Sequence, residues 1–225
     1  EIPDLKLPDC QPWSNIEKLK REKAIASFFI SGHPLDEYRF DIETFCNSTI
    51  KKLKDNFEAA STRDIYIAGI VSKVRHEVAK NGNPYGRFTL EDFDDSLELS
   101  LFKEDYLKNK HMLVDDAIVY VKLRTAARWG SDQFEPRIQR ISLLSDVMDE
   151  MAKGLILQVP IDNLNDPLTN HIVDALQKNK GNCRVKVEFF DFVNNYKVET
   201  SSAKYKVLCS GATRQLRMVP ENNIK

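Results

Sequence analysis

Cationic and aromatic side chains gather at two places in this chain. Arg75, Lys80, Tyr85 and Arg87 surround the segment Lys80-Asn81-Gly82-Asn83-Pro84. Arg124 and Arg137 flank a second group, Arg128-Trp129-Gly130. Cations that track phosphates and flat rings that lie under bases are what holds a single nucleic-acid strand. Phe88 and Phe102 fall between the two groups. Small closed sheets fill their interior with side chains, so core is the favoured reading of that pair over base stacking. Trp129, between Arg and Gly in an expected loop, is hard to bury, and loop packing and a stacking platform both stay open for it. Carboxylates collect at Glu91, Asp92, Asp94, Asp95 and Glu98. That separation is expected to leave a local positive groove on a chain of formal net charge −1.

Other chemistries find little footing. His33, His76, His111 and His171 fall in separate elements with no metal-ligand spacing, so no metal is expected. Asp92, Asp94 and Asp95 could suggest metal-bound phosphoryl transfer, but they sit in a turn, where Asp is used for local geometry. No P-loop or G-x-S-x-G is present, and no catalytic residue or cofactor is expected. Cys10, Cys46, Cys183 and Cys209 lie far apart without a C-x-x-C pair, which reads as reduced thiols in a cytoplasmic protein. No apolar run approaches the roughly 18 residues of a membrane helix. The chain opens on Glu1 in a polar stretch, which reads as a segment of something longer.

The elements that must position the cations follow from hydrophobic pattern. Residues 1–13 read as a linker. Ser14 and Glu17 fit a capping box, and Ile16, Leu19, Ile25, Phe28 and Phe29 give an approximate helical face. After Gly32, Pro34 opens a second helix with Leu35, Ile42 and Phe45 inward, and His33 caps or packs on its first turn. Lys51 to Arg63 reads as a charged connector. Strands are expected near 64–76, 85–92, 96–103, 116–126 and 132–143, with a short helix over Glu104–Leu113. Gly69 and Gly86 suggest bends or bulges. Strand, basic loop, strand, acidic turn, strand, helix and two more strands is the order of a five-stranded OB barrel, whose strands 2–3 and two loops bind oligonucleotides.

Beyond the barrel, Asp146–Gly154 reads as a polar linker and Leu155–Val159 as a strand. Asn165-Asp166-Pro167 opens a helix that Gly181 ends, and a hairpin turns at Asn194-Asn195. Tyr205–Leu208 could add a strand, while Ser210 to Lys225 shows no clear apolar helix or strand. The fold class is thus mainly β with α+β parts. Residues 1–63 form a linker and helical pair, 64–145 an OB-fold domain, and 146–225 a small α+β domain. The mixed charge of that last part, without basic–aromatic loops, points to protein contact rather than to nucleic acid.

Two segments carry a resemblance. Phe29-Ile30-Ser31-Gly32-His33-Pro34-Leu35-Asp36-Glu37-Tyr38 resembles the SGHPL segment of the bacterial DNA polymerase III alpha family. Ala68-Gly69-Ile70-Val71 with Phe88-Thr89-Leu90-Glu91-Asp92, Glu98 and Leu101-Phe102 resembles that family's OB signature, in the same order. The resemblance covers 14–145 well and 150–208 loosely. It implies a C-terminal piece of a replicase, with an OB domain near single-stranded template DNA. The small domain after it would meet the clamp loader's tau subunit and other replisome proteins. The polymerase's own catalytic carboxylates would lie upstream of Glu1. An OB-type RNA binder, such as a tRNA anticodon-binding domain, and a protein-interaction module without nucleic acid are the alternatives.

Overall fold

A computed structural model of the chain describes Trp13 and residues 15–26, 29–55, 57, 63–127 and 134–217. Five strands form one antiparallel sheet: β1 (Ile65–Val78), β2 (Pro84–Glu91), β3 (Ser96–Phe102), β4 (Ile118–Ala127) and β5 (Phe134–Leu143). Their order is β3-β2-β1-β4-β5, and β3 lies against β5 where the sheet curls round to meet itself. Period-two alternation decides what fills it. Ile65, Ile67 and Val71 of β1, Phe88 and Leu90 of β2, and Leu97, Leu99 and Leu101 of β3 point inward with Val119, Val121 and Leu123 of β4. Helix α4 (Lys103–Asn109), continued by a 3-10 turn, joins β3 to β4 and adds Tyr106 and Leu113 to this core. The expected barrel and its helix are therefore present.

The glycines do a different job from the one expected. Bulges interrupt β1–β2 pairing between Ser72 and Arg75, and β4–β5 pairing at Lys122/Leu123. Gly86 instead admits neighbours: a Cβ there would stand 2.6 Å from Leu113 Cδ1 and 2.9 Å from the Tyr106 ring. The loop joining β1 to β2 is also shorter than expected. Both strands extend, leaving a tight turn over 79–83 closed by Ala79 N–H to Asn83 O (2.9 Å), with Gly82 at φ 79°.

Helix α1 (Asn15–Ala26) precedes a 3-10 turn over Pro34–Tyr38 and helix α2 (Arg39–Phe45). His33 caps that turn: its Nδ1 accepts from Leu35 N (3.2 Å), and Asp36 Oδ2 accepts from His33 N (2.7 Å). Ser14, half of the capping box expected at α1, lies outside the described residues. The charged connector is partly helical. Helix α3 (Ile50–Asp55) sends Ile50 and Leu53, both almost fully buried, into the barrel core. Asp92 holds its first turn, accepting from Ile50 N (2.7 Å) with one oxygen and from Asp94 N and Asp95 N (3.0 and 2.9 Å) with the other. The acidic turn is thus a capping device.

The expected linker after β5 is also a helix, α5 (Leu144–Met151), because Leu144, Val147 and Met148 share one buried face. Then come β6 (Gly154–Pro160), α6 (Asp166–Lys178), β7 (Lys180–Asp191), β8 (Tyr196–Val207) and α7 (Cys209–Arg217). Strands β6 and β7 pair in parallel across the α6 crossover, and β8 returns antiparallel after a turn with Asn195 at φ 56°. Tyr205–Val207 belongs to β8, and Gly181 lies inside β7 rather than ending α6. The end, where no clear apolar helix was expected, holds α7, which buries Cys209 and packs Ala212 and Leu216 beside Leu157, Leu176, Val185 and Val207. Mainly β with α+β parts describes the whole.

Candidate nucleic-acid interface

Register along the β2–β3 hairpin builds the site. The turn after Glu91 pairs Arg87 with Ser100 and Tyr85 with Phe102, on the outer face of the barrel. β1 adds Arg75 opposite Arg87 and Glu77 opposite Tyr85. Tyr85 and Phe102 stack at 5.6 Å between centroids and 22° between planes, and Phe102 is 57% exposed. Where β3 meets β5, a cleft of about 470 Å³ continues this face. Its walls include Ser100, Phe102 and Asp105 on one side and Glu135, Pro136 and Arg137 on the other. Tyr85, Arg87, Phe102 and Arg137 are thereby brought together, with Arg75 beside them.

The remaining expected residues fall elsewhere. Phe88, 1% exposed, is core and reaches no ligand. Phe102 is its opposite, because β3 turns its odd-numbered residues inward and its even-numbered ones out. Lys80 stands exposed in the 79–83 turn and is not part of the cleft wall. Arg124 lies opposite Arg137 on the β4–β5 ladder, but Asp64 holds it, together with Lys122 at 2.7 Å. Those two cations, Lys122 first, keep the Asp64 carboxyl below its ordinary range. Arg128 and Trp129 lie outside the described residues.

The expected separation of charge does not hold on this face. Glu98 pairs with Arg87 (Nε to Oε1 3.3 Å), and Glu135 with Arg137 (3.3 Å). The Tyr85 hydroxyl donates to Glu77, which raises the phenol's pKa by favouring its protonated form. Among the described residues Arg75 is the cation of this face without a carboxylate partner. These acidic neighbours were missed because cross-strand pairing, not sequence distance, brings them in. Counting outward from the Asp92–Asp95 turn would have found Glu98 and Ser100. What the face offers is a pair of stacked rings beside guanidinium groups held in place by carboxylates, an arrangement suited to flat bases with phosphates alongside. Among the described residues no cluster of His, Cys, Asp and Glu could hold a metal, and no helix is long and apolar enough to cross a membrane.

Comparison with known proteins agrees with this geometry. A family model described as an OB-fold nucleic acid binding domain (tRNA_anti-codon) matches residues 65–144, the barrel itself. Residues 65–144 are therefore similar to OB-fold nucleic acid binding domains. Over a longer span the chain is similar to DNA polymerase III alpha subunits. The Pseudomonas fluorescens protein is 28% identical over 173 residues, covering 77% of this chain and 14% of that protein. The protein of Escherichia coli K12 is 26% identical over 171 residues, covering 76% and 15%. The chain thus spans about 14–15% of the length of these relatives. Among solved structures, the S. cerevisiae mitochondrial single-stranded DNA binding protein Rim1 is 20% identical over 36% of this chain and 95% of its own, at a TM-score of 0.29.

Proposed function

We propose that this chain is a non-catalytic segment of a bacterial replicative polymerase of the DNA polymerase III alpha type, whose barrel holds single-stranded template DNA on the outer face of β2 and β3. The observation that carries this reading is the Tyr85–Phe102 stack, with Phe102 exposed, beside Arg75, Arg87 and Arg137. The similarity to alpha subunits over most of the chain supports the parent, and the OB-fold match supports the ligand class. In this reading residues 1–63 and 146–225 flank a 64–145 barrel domain. The third part contacts replisome proteins, with the clamp loader's tau subunit as the partner the resemblance implies. The exposed tip of the β7–β8 hairpin suits such contact: Phe192, Val193, Tyr196 and Val198 are 57–84% exposed.

The test is a titration of the chain with labelled single-stranded DNA, RNA of the same sequence and duplex, at several salt concentrations. Binding of single-stranded DNA with little base preference, weakening as salt rises, is expected. Preference for RNA would favour the anticodon-binding alternative. Tighter binding of duplex, or no binding at any salt, would overturn the reading.

A further inference from the structure

The C-terminal sheet carries cations that the barrel reading does not use. Lys178 and Lys180, at the junction of α6 and β7, and Lys204 and Lys206 of β8 wall a cleft of about 830 Å³ with Tyr205 at its side. Lys178 is held by Asp174 at 2.8 Å, and the Lys204 ammonium lies over the Tyr205 ring, 5.2 Å from its centroid. Lys180 and Lys206 are exposed and have no carboxylate partner among the described residues. The β7–β8 register sets Lys206 directly opposite Arg184, which is equally exposed and equally unpaired. Like charges opposed across a ladder destabilise the sheet that holds them. Among the described residues no carboxylate offsets that cost here, whereas Glu188 and Glu199, the like pair at the other end of the same two strands, share Lys197 at 2.9 and 2.8 Å.

We propose that this cleft, continued onto the open sheet face by Arg184, is a second track for the phosphates of a single nucleic-acid strand. Several unpaired cations in a row suit a repeating anion. Lysine is depleted from protein–protein interfaces, while Lys and Arg supply contacts to phosphate. The track lies at the start of β7 and the end of β8, opposite the apolar hairpin tip, so nucleic acid and protein have separate ends of one sheet. Its cations come from two separate stretches, 178–184 and 204–206, which the β7–β8 register brings together, and that is why the segment reads as mixed in charge along the chain.

The track shares no residue with the barrel face, so variants at each report separately. Lys180→Gln/Arg184→Gln/Lys206→Gln in the full chain is titrated with labelled oligothymidylate across a salt series. At roughly 0.7 per phosphate contact on a single strand, losing three contacts should lower the slope of log affinity against log salt by about 2. The melting temperature should hold or rise, since an opposed like pair has been removed. An unchanged slope and affinity in a variant that melts normally would overturn the inference. So would loss of binding to poly-glutamate with oligothymidylate binding intact, which would assign the cleft to an acidic protein. Should the triple variant melt early, Lys180→Gln/Lys206→Gln must still lower the slope by about 1.4, and an unchanged slope there would be as decisive. Phe102→Ala reports on the barrel separately. No effect of Phe102→Ala beside a lowered slope in the lysine variants would sink the barrel reading and keep this one.

Discussion

Phe102→Ala separates binding from folding at one position. The ring is 57% exposed and rests on Tyr85 in β2, outside the barrel core. Less than half of it is out of water, so at about 25 cal/mol per Å² its removal should cost about 1 kcal/mol of stability. A base stacked on one aromatic face is worth about 1–3 kcal/mol, so oligothymidylate affinity should fall about 5- to 150-fold. Phe88→Ala, on the neighbouring strand β2 but 1% exposed, is the internal control. It should cost about 3–5 kcal/mol of stability and impair binding only through unfolding. Fluorescence anisotropy gives the affinities, and urea melts give the stabilities. A Phe102→Ala protein that binds like the parent would refute the stacking assignment. One that loses as much stability as Phe88→Ala would refute the exposure on which it rests.

Three further outcomes are expected. Glu98→Gln frees Arg87 from its pair, so single-strand affinity should rise and the salt slope steepen by about 0.7; weaker binding would show that Glu98 aims Arg87 rather than neutralising it. Asp92→Ala removes the acceptor for Ile50, Asp94 and Asp95 N–H and should cost about 1–2 kcal/mol in a urea melt, and an unchanged midpoint would show that α3 holds without its cap. Burial pushes the Cys46 thiol from 9.0 up to about 12. The unfolded chain then loses that proton first as pH rises, so stability should be full below about pH 9 and fall between 9 and 12, less steeply in Cys46→Ala; a urea midpoint flat across that window would contradict the burial.

The barrel was legible because its strands alternate cleanly between turns rich in Gly, Asn and Asp. Helix α3 was not: Ile50 and Leu53 are its two apolar anchors among lysines, too short a pattern for periodicity to register. Leu144, Val147 and Met148 did carry helical spacing, but the Ser, Asp and Glu around them read as linker. In α7 the buried residues Cys209, Ala212 and Thr213 are small, with Leu216 a turn later. The site was legible in its residue types and not in its pairings. Arg87 reads as a free cation until register sets it beside Glu98, and Phe102 reads as core until β3's parity is counted from Leu97, Leu99 and Leu101.

Helix α5 has neighbours on both sides. Leu144 and Val147 pack with Ala68 of β1, Tyr120 of β4 and Ile42 and Phe45 of α2. On the other side, Asp149 accepts from the Ser210 amide (3.0 Å) and hydroxyl (2.5 Å) at the start of α7. A chain joined by a slack tether would let its two ends swing apart under tension. Here a pull on the C-terminal sheet must shear a packed helix off two barrel strands before anything lengthens. The joint is a clamped helix rather than a hinge, seated on the barrel wall by its apolar face and tied to the start of α7 by Asp149.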